Sequence, residues 1–455
     1  IHKAEYGAGD RWADVTAAAT AAAASGQPIV ASNTLAGDPA PGVVKSLRIV
    51  YSKDGEKTSV ELAEGKELVL EGVVAGPQYP RQVTLIRVLG DLGEKTALPV
   101  VLKAAKCDAA DIRQAAIVVL GGLGDASAVT VLLDAAADGS LAAKQSLIDL
   151  QGEGVNAALA GALAGAEGAK RIVLLQLAGD RAMTELAPAL LKAADDADPQ
   201  IAKTAIAALG ATIGLDELPA LIARVTGSDS ADLAAAAKDA LKVALLRTAD
   251  RNAAAEKLLA AMPKASVKNQ IDLLELLGVL GGERALAGVA AAASGGNEEI
   301  QDAATRVLGE WMSPDVAPVL LDLAQTGPAK YRVRCLRGYV RAFRQLGLPD
   351  ADKMTMAAKA FDAATRDDER RLALEALDRI PDPKALAMVM AHLDDPALKA
   401  TVAKTAVAIA ERTVAAHPAV VAEAMTKVLA TNPDADTAGK ARRWLNEAKG
   451  RLGNN

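Results

Sequence analysis

Few side chains in this sequence could do chemistry. The three histidines, His2, His392 and His417, are far apart, and none belongs to a paired His-Glu motif of the kind a helical metal site needs. Cys107 and Cys335 match no zinc spacing and read as small buried apolar residues. Asp350-x-Asp352 and Asp434-x-Asp436 do not continue into the later Gly and Glu of a calcium loop. Asp195-Asp196, Asp367-Asp368-Glu369 and Asp394-Asp395 each stand just before an amphipathic stretch, where carboxylates satisfy helix N-termini. The expectation is no catalytic residue, no metal and no cofactor, with the balance against an enzyme.

One stretch has a concentrated charge. Lys330, Arg332, Arg334, Arg337, Arg341 and Arg344 are not interrupted by an acid. At about 100° per residue, Lys330, Arg334, Arg337, Arg341 and Arg344 fall within an arc of about 80° on one helix face. Val333, Leu336, Val340 and Phe343 form the adjoining face. Such a face is either solvated and paired within the repeats, with Asp350, Asp352 or Glu310 as partners, or a site for phosphate, acidic protein or nucleic acid.

The elements that carry these residues repeat. Asp111 to Gly139 reads DIRQAAIVVLGGLGDASAVTVLLDAAADG. Its apolar residues recur at helical spacing, pause at Gly121-Gly122, and restart at Val129, Leu132 and Leu133, which predicts two short amphipathic helices. Leu-Gly marks the end of first helices at Leu89-Gly90, Leu120-Gly121, Leu209-Gly210, Leu277-Gly278, Leu308-Gly309 and Leu346-Gly347, and with Gly152 and Gly179 in equivalent places most steps are 31 residues. A left-handed glycine at the helix C-terminus would explain the marker. Asp198-Pro199, Ser313-Pro314, Asp382-Pro383 and Asp395-Pro396 place a capping side chain before a proline at helix starts. The pattern predicts a mainly α chain: an α-solenoid of about eleven hairpins, closed by a charged capping helix from Thr437 to Leu452. Aromatic residues make up only 2% of the chain, so alanine-rich helices must pack closely. The cysteines lie about eight repeats apart, too far for a disulfide.

Residues 1–76 lack the repeat. Ser46 to Tyr51, Thr58 to Leu62 and Glu67 to Leu70 read as strands, with hairpin-turn chemistry at Asp54-Gly55. Ala13 to Ala24 reads as a helix and Pro28 to Ala31 as a strand. The domains are thus 1–76, small and β-rich, and 77–455, the solenoid, with a hinge at Gly72–Pro77. The proline-rich loop offers Asn33, Asp38 and Lys45 as candidate ligand-gripping residues, or Asn33 and Asp38 as turn caps. Net charge of −6 argues against a dedicated nucleic-acid binder, and no apolar run approaches the ~18 residues of a membrane span.

The repeat in DIRQAAIVVLGGLGD and ERRLALEALDRIPDPKALAMVMAHLDDP resembles the HEAT family, in the short HEAT-like variant named for phycobilisome lyases. That resemblance implies a partner-binding concave surface lined by second helices. The HEAT-like hydroxylases need His-Glu pairs that this chain lacks, and the HEAT-like DNA glycosylases use a basic groove where this chain has one basic helix. Tyr6-Gly7, Asp14-Val15-Thr16, Gly37-Asp38-Pro39, Gly42, Lys45-Ser46-Leu47, Tyr51 and Gly55 resemble the C-terminal domain of the DnaJ-homologue subfamily C, member eleven family, as in planctomycete-type bacterial proteins. A J domain is missing, since His417-Pro418-Ala419 lacks the Asp, so no Hsp70 partner is implied. With Ile1 in place of Met, this resemblance suggests an exported, periplasmic bacterial protein, with a cytoplasmic setting as the alternative.

The reading that results is a non-enzymatic scaffold holding a protein or polymer partner on its solenoid. Two alternatives stay open: an enzyme or enzyme-associated subunit with its site between the N-terminal domain and the solenoid, and an anion or nucleic-acid binder using Lys330–Arg344.

Overall fold

A computed structural model describes the chain apart from residues 25–26, 54–55, 71–78 and 454–455. The expected Asp54-Gly55 turn and the Gly72–Pro77 hinge lie outside the described residues. The chain divides into two units, Ile1–Leu174 and Leu175–Asn455.

The first unit begins with β1 (Lys3–Ala8), β2 (Arg11–Asp14), α1 (Thr16–Ala24), β3 (Ile29–Val30), β4 (Ser46–Lys53), β5 (Glu56–Ala63) and β6 (Glu67–Leu68). An antiparallel sheet runs in the order β2-β1-β4-β5, and β3 pairs with β6. Tyr6 stands opposite Leu47, and Arg48 is flanked by Glu5 and Glu61. Alternation then sorts the faces. Ala4, Tyr6, Leu47 and Ile49 point inward onto Val15, Ala19 and Ile29, all buried. On the other face the Arg48 guanidinium lies 4.1 Å from the Trp12 ring centroid and pairs with Glu61 at 3.2 Å. The sequence reading missed β1 and β2. Their small residues explain the miss: Gly7 lets β2 approach so closely that a Cβ there would stand 2.8 Å from Trp12 Cα.

Hairpins follow. In the first unit they are α2 (Pro80–Leu92) with α3 (Leu98–Ala104), α4 (Ala110–Leu123) with α5 (Val129–Ala137), and α6 (Leu141–Asp149) with α7 (Val155–Leu163). The division between units falls in α8 (Gly168–Asp180), which precedes α9 (Ala187–Ala193). The second unit continues with α10 (Pro199–Thr212) and α11 (Leu218–Gly227), α12 (Ala231–Arg247) and α13 (Arg251–Ala261), α14 (Val267–Leu280) and α15 (Glu283–Ala293). Then come α16 (Glu298–Gly309) and α17 (Val316–Gln325), α18 (Arg332–Gln345) and α19 (Asp350–Ala363), α20 (Asp367–Glu375) and α21 (Pro383–Met390), α22 (Lys399–Thr413) and α23 (Pro418–Ala430). The last helix is α24 (Ala435–Gly453), which buries Ala438, Ala441, Trp444 and Ala448 and turns its ion pairs outward. These eleven hairpins and a capping helix form the α-solenoid.

Successive first helices stack: α4 on α2 and α6, and α12, α14, α16, α18, α20 and α22 each on the next. Glycine makes this stacking possible, for a reason other than the expected one. The marker glycines Gly90, Gly121, Gly179, Gly210, Gly278, Gly309 and Gly347 do not have positive φ; among the markers only Gly152 does, at +125°. Gly121 and Gly122 do not break the helix either, since α4 runs on to Leu123. Four of the Leu-Gly glycines are instead close-approach residues. A Cβ at Gly90 would meet Val119 at 2.9 Å, at Gly121 Ser146 Cα at 3.0 Å, at Gly210 the Ala240 carbonyl at 2.8 Å, and at Gly278 Val307 at 2.6 Å. Left-handed termination occurs elsewhere, as at Gly93 after α2.

Asp198 and Asp382 cap α10 and α21 as expected, accepting from Gln200 N at 2.8 Å and Lys384 N at 2.7 Å. Ser313-Pro314 and Asp395-Pro396 do not, because α17 starts at Val316 and α22 at Lys399. No helix among the described residues is long and apolar enough to cross a membrane.

Candidate functional site

The basic stretch forms α18, except for Lys330, which precedes it. Leu336, Val340 and Phe343 are buried as the spacing predicts, Val333 is only half-buried, and Tyr331 and Tyr339 join the buried face. Three of the six cations are spent on α16, one repeat back, and not on Asp350, Asp352 or Glu310. Lys330 pairs with Glu298, whose hydrogen bond holds the ammonium above its ordinary pKa. Arg334 Nη1 donates to Asp302 Oδ1 at 2.8 Å, to the Asp302 carbonyl at 3.0 Å and to the buried Thr305 Oγ1 at 2.9 Å. Arg341 donates to the carbonyls of Gly309 at 2.7 Å and Trp311 at 2.6 Å, satisfying orphan acceptors at the end of α16. Arg332 donates to the Gly327 carbonyl at 2.8 Å.

Arg337 and Arg344 differ. Both are exposed, and neither makes a hydrogen bond or ion pair with a described residue. They line a groove of about 480 Å³ between α18 and α20, floored by Val340 and Leu372. Arg341 and Arg371 also border it, and Asp368 and Glu375 are its acids, so four guanidiniums face two carboxylates. Arg371 is committed to Asp368 and to the Ala397 carbonyl at 2.9 Å. Its hydrogen bond holds the Asp368 carboxyl below the usual range. What remains is a pair of guanidiniums on one face of α18, two turns or about 10 Å apart, without hydrogen bonds to described residues although Arg337 helps to lower the Asp368 pKa, and suited to carboxylate or phosphate groups.

The second cluster lies in the β-rich segment. Asn33, Asp38 and Lys45 are brought together, around two residues the sequence reading did not select, Tyr6 and Glu64. Lys45 is 5% exposed, and its Nζ reaches the Val43 carbonyl at 3.0 Å, Asp38 Oδ1 at 3.2 Å and Glu64 Oε1 at 3.5 Å. Lys45 N donates to Glu64 Oε2 at 3.0 Å, and the Tyr6 hydroxyl is shared between Glu64 Oε1 at 3.0 Å and Asn33 Oδ1 at 3.2 Å. Burial, then the Glu64 carboxylate, pushes the Tyr6 phenol up to about 12. Burial alone would lower Lys45, but Asp38 and Glu64 outweigh it and hold the ammonium up. The network closes on itself and ties the 32–45 loop to the sheet. Ala4 and Tyr6 alone give too short an apolar alternation to mark Tyr6 in the sequence.

The histidines stay apart: His2 meets Ser52 at 2.7 Å, His392 stacks on Phe361, and His417 stands at the start of α23. Cys335 is buried, and Cys107 is half-buried where full burial was expected. Among the described residues no three His, Cys, Asp or Glu side chains are grouped to hold a metal ion. Asp367, Asp368 and Glu369 form the first turn of α20, where Glu369 accepts from Thr365 N at 2.9 Å, as the helix-start reading expects.

A family model for HEAT repeats matches residues 67–148. No curated protein matches the chain. Among solved structures, Kap121p is similar at 11% identity with a TM-score of 0.42, over 83% of this chain and 48% of that one. Yeast importin-beta (Kap95p) is similar at 12% identity with a TM-score of 0.37, over 81% of this chain and 57% of that one. The chain thus spans about half the length of the structures it matches.

Proposed function

We propose that this chain is a non-enzymatic scaffold whose solenoid, residues 77–455, holds an acidic segment of a protein partner, and that residues 1–76 form a separate β-rich domain of the DnaJ-related kind described above. One observation carries the reading. Within a helix whose other cations are spent on neighbouring carbonyls and carboxylates, Arg337 and Arg344 are left unpaired and exposed beside an open groove. Two exposed arginines that make no hydrogen bond with a described residue can grip a carboxylate-bearing segment with charge-assisted hydrogen bonds.

The test is affinity capture from a lysate of the source organism, using the intact chain and a chain carrying Arg337→Glu with Arg344→Glu. Both residues are exposed, so the variant should fold as well as the original. The reading expects partners that elute with rising salt and are lost with the double substitution. The same partners held equally by both chains would move binding off this groove. Recovery of nucleic acid in place of protein would favour the anion-binder alternative at the same two arginines.

A further inference from the structure

The second-helix row carries a groove of different chemistry in the same region. It lies between α17 and α19, has a volume of about 510 Å³, and is walled by Pro318 and Leu321 on one side and Leu348 and Met356 on the other. Its floor is Tyr339, which reaches through from α18. Tyr339 is 3% exposed, yet its hydroxyl makes no hydrogen bond with a described residue. The hydroxyl is not sealed from solvent, so it stands at the groove floor as a donor that no acceptor among the described residues occupies. Burial holds it protonated, with its pKa pushed up to about 12, so it is a donor. Asp352 on the rim is exposed and makes no ion pair or hydrogen bond with a described residue. Asp322 on the facing helix accepts only from its neighbour Thr326. Lys359 also borders the groove but stands two turns beyond Asp352, roughly 10 Å along the helix, and forms no ion pair with either acid.

We propose that this groove binds a short linear protein segment that inserts one bulky apolar side chain, accepts a hydrogen bond from Tyr339 through a backbone carbonyl, and sets a Lys or Arg against Asp352. This goes beyond the acidic-segment reading and does not depend on it. About 510 Å³ is room for one bulky side chain together with the backbone on either side of it. Asp352, exposed in the first turn of α19 and without an ion pair to a described residue, sets the sign of the flanking charge, and the Tyr339 hydroxyl at the floor offers a donor to an acceptor.

The full chain labelled with ¹³C at its methionine methyls tests the proposal, with Met356→Leu assigning the Met356 resonance. Three probes are titrated: the peptides acetyl-Lys-Phe-Lys-amide, acetyl-Glu-Phe-Glu-amide and acetyl-Lys-Ala-Lys-amide. A saturable shift of Met356 is expected with the first peptide, with at least about tenfold weaker binding of the other two. Tyr339→Phe should weaken the first peptide by about fivefold, in line with loss of one hydrogen bond. Asp352→Asn should erase most of the preference for the basic over the acidic peptide. No shift at Met356 would overturn the site. Equal binding of the acidic and basic peptides would overturn the stated partner, and so would N-acetyl-phenylalaninamide binding as tightly as the basic peptide, which would mark a site for an uncharged small molecule. Unchanged affinity in Tyr339→Phe would overturn the role given to its hydroxyl.

Discussion

Gly121 rests directly on Ser146. A Cβ built at Gly121 would stand 3.0 Å from Ser146 Cα and 3.1 Å from its Oγ, and that hydroxyl donates to the Ile117 carbonyl of α4 at 2.9 Å. Two first helices are thus held at backbone contact by an absent side chain on one and a short polar one on the other. The neighbouring Gly122 is exposed, with nothing within 4 Å of where its Cβ would be.

Adjacent glycines should therefore respond with opposite sign to one substitution. In an exposed helix interior, Gly→Ala stabilises by about 0.5–1 kcal/mol, and Gly122→Ala should do so. Gly121→Ala must push α6 away from α4, and overpacking of this kind costs about 1–3 kcal/mol. Urea unfolding of the two variants measures both, and a stabilising Gly121→Ala would refute close approach as the reason for the repeat glycine.

Much of the solenoid was legible because its hairpins are local. Leu-Gly pairs, several of them 31 residues apart, and the Asp-Pro starts of α10 and α21 mark many of the units before any tertiary contact is known. The role of the glycine was not legible, because a glycine that ends a helix and one that admits the next helix look alike in sequence. The same limit applies to α18. Its face was visible, but which arginines are spent depends on partners one repeat back: Glu298 for Lys330, Asp302 for Arg334 and the Gly309 carbonyl for Arg341, each 32 residues earlier. Two of these acceptors include main-chain oxygens, which no residue type announces. In the β-rich segment, β1 escaped notice because its inward face carries only Ala4 and Tyr6, too little for an alternating apolar signal.

That division among the arginines predicts a split in stability. Arg334→Ala takes the guanidinium donor from the buried Thr305 hydroxyl and the Asp302 carbonyl, while the Asp302 carboxylate keeps Arg306, and should cost about 1–3 kcal/mol. Arg334→Lys should not restore it, because a single ammonium cannot reproduce the guanidinium fork. Arg337→Ala and Arg344→Ala should fall within about 0.5 kcal/mol of the unsubstituted chain. Chemical denaturation of the four variants separates structural from available arginines, and equal losses at all of them would undo the assignment.

The two thiols should react at very different rates. Cys335 is 1% exposed, and burial pushes its thiol up to about 11, so at pH 8 only about one molecule in a thousand carries the reactive thiolate. Cys107 is half-buried and within reach of solvent. A thiol reagent at pH 8 should modify one equivalent quickly and the second only after urea unfolding. Two fast equivalents would show that α18 opens readily.

The Tyr6–Glu64 pair should give the β-rich segment a stability window bounded on both sides. The Lys45 backbone N–H, then the Tyr6 hydroxyl, holds Glu64 below the usual carboxylate range. A carboxylate depressed in the folded state contributes stability above its unfolded pKa of about 4.3, and that contribution is lost as pH falls through the folded value. Tyr6 sets the other limit. Its folded pKa is raised to about 12, so the neutral phenol is favoured by folding; the contribution is complete below the unfolded pKa of about 10 and disappears as pH rises through about 12. The Trp12 resonance of a 5-fluorotryptophan-labelled chain, followed through urea at each pH, reports this segment alone. Glu64→Gln should lower its stability at neutral pH and flatten the acid limb, and Tyr6→Phe should flatten the alkaline limb while leaving the acid limb in place. An acid limb unchanged by Glu64→Gln would mean that Glu64 is not what ties the loop to the sheet.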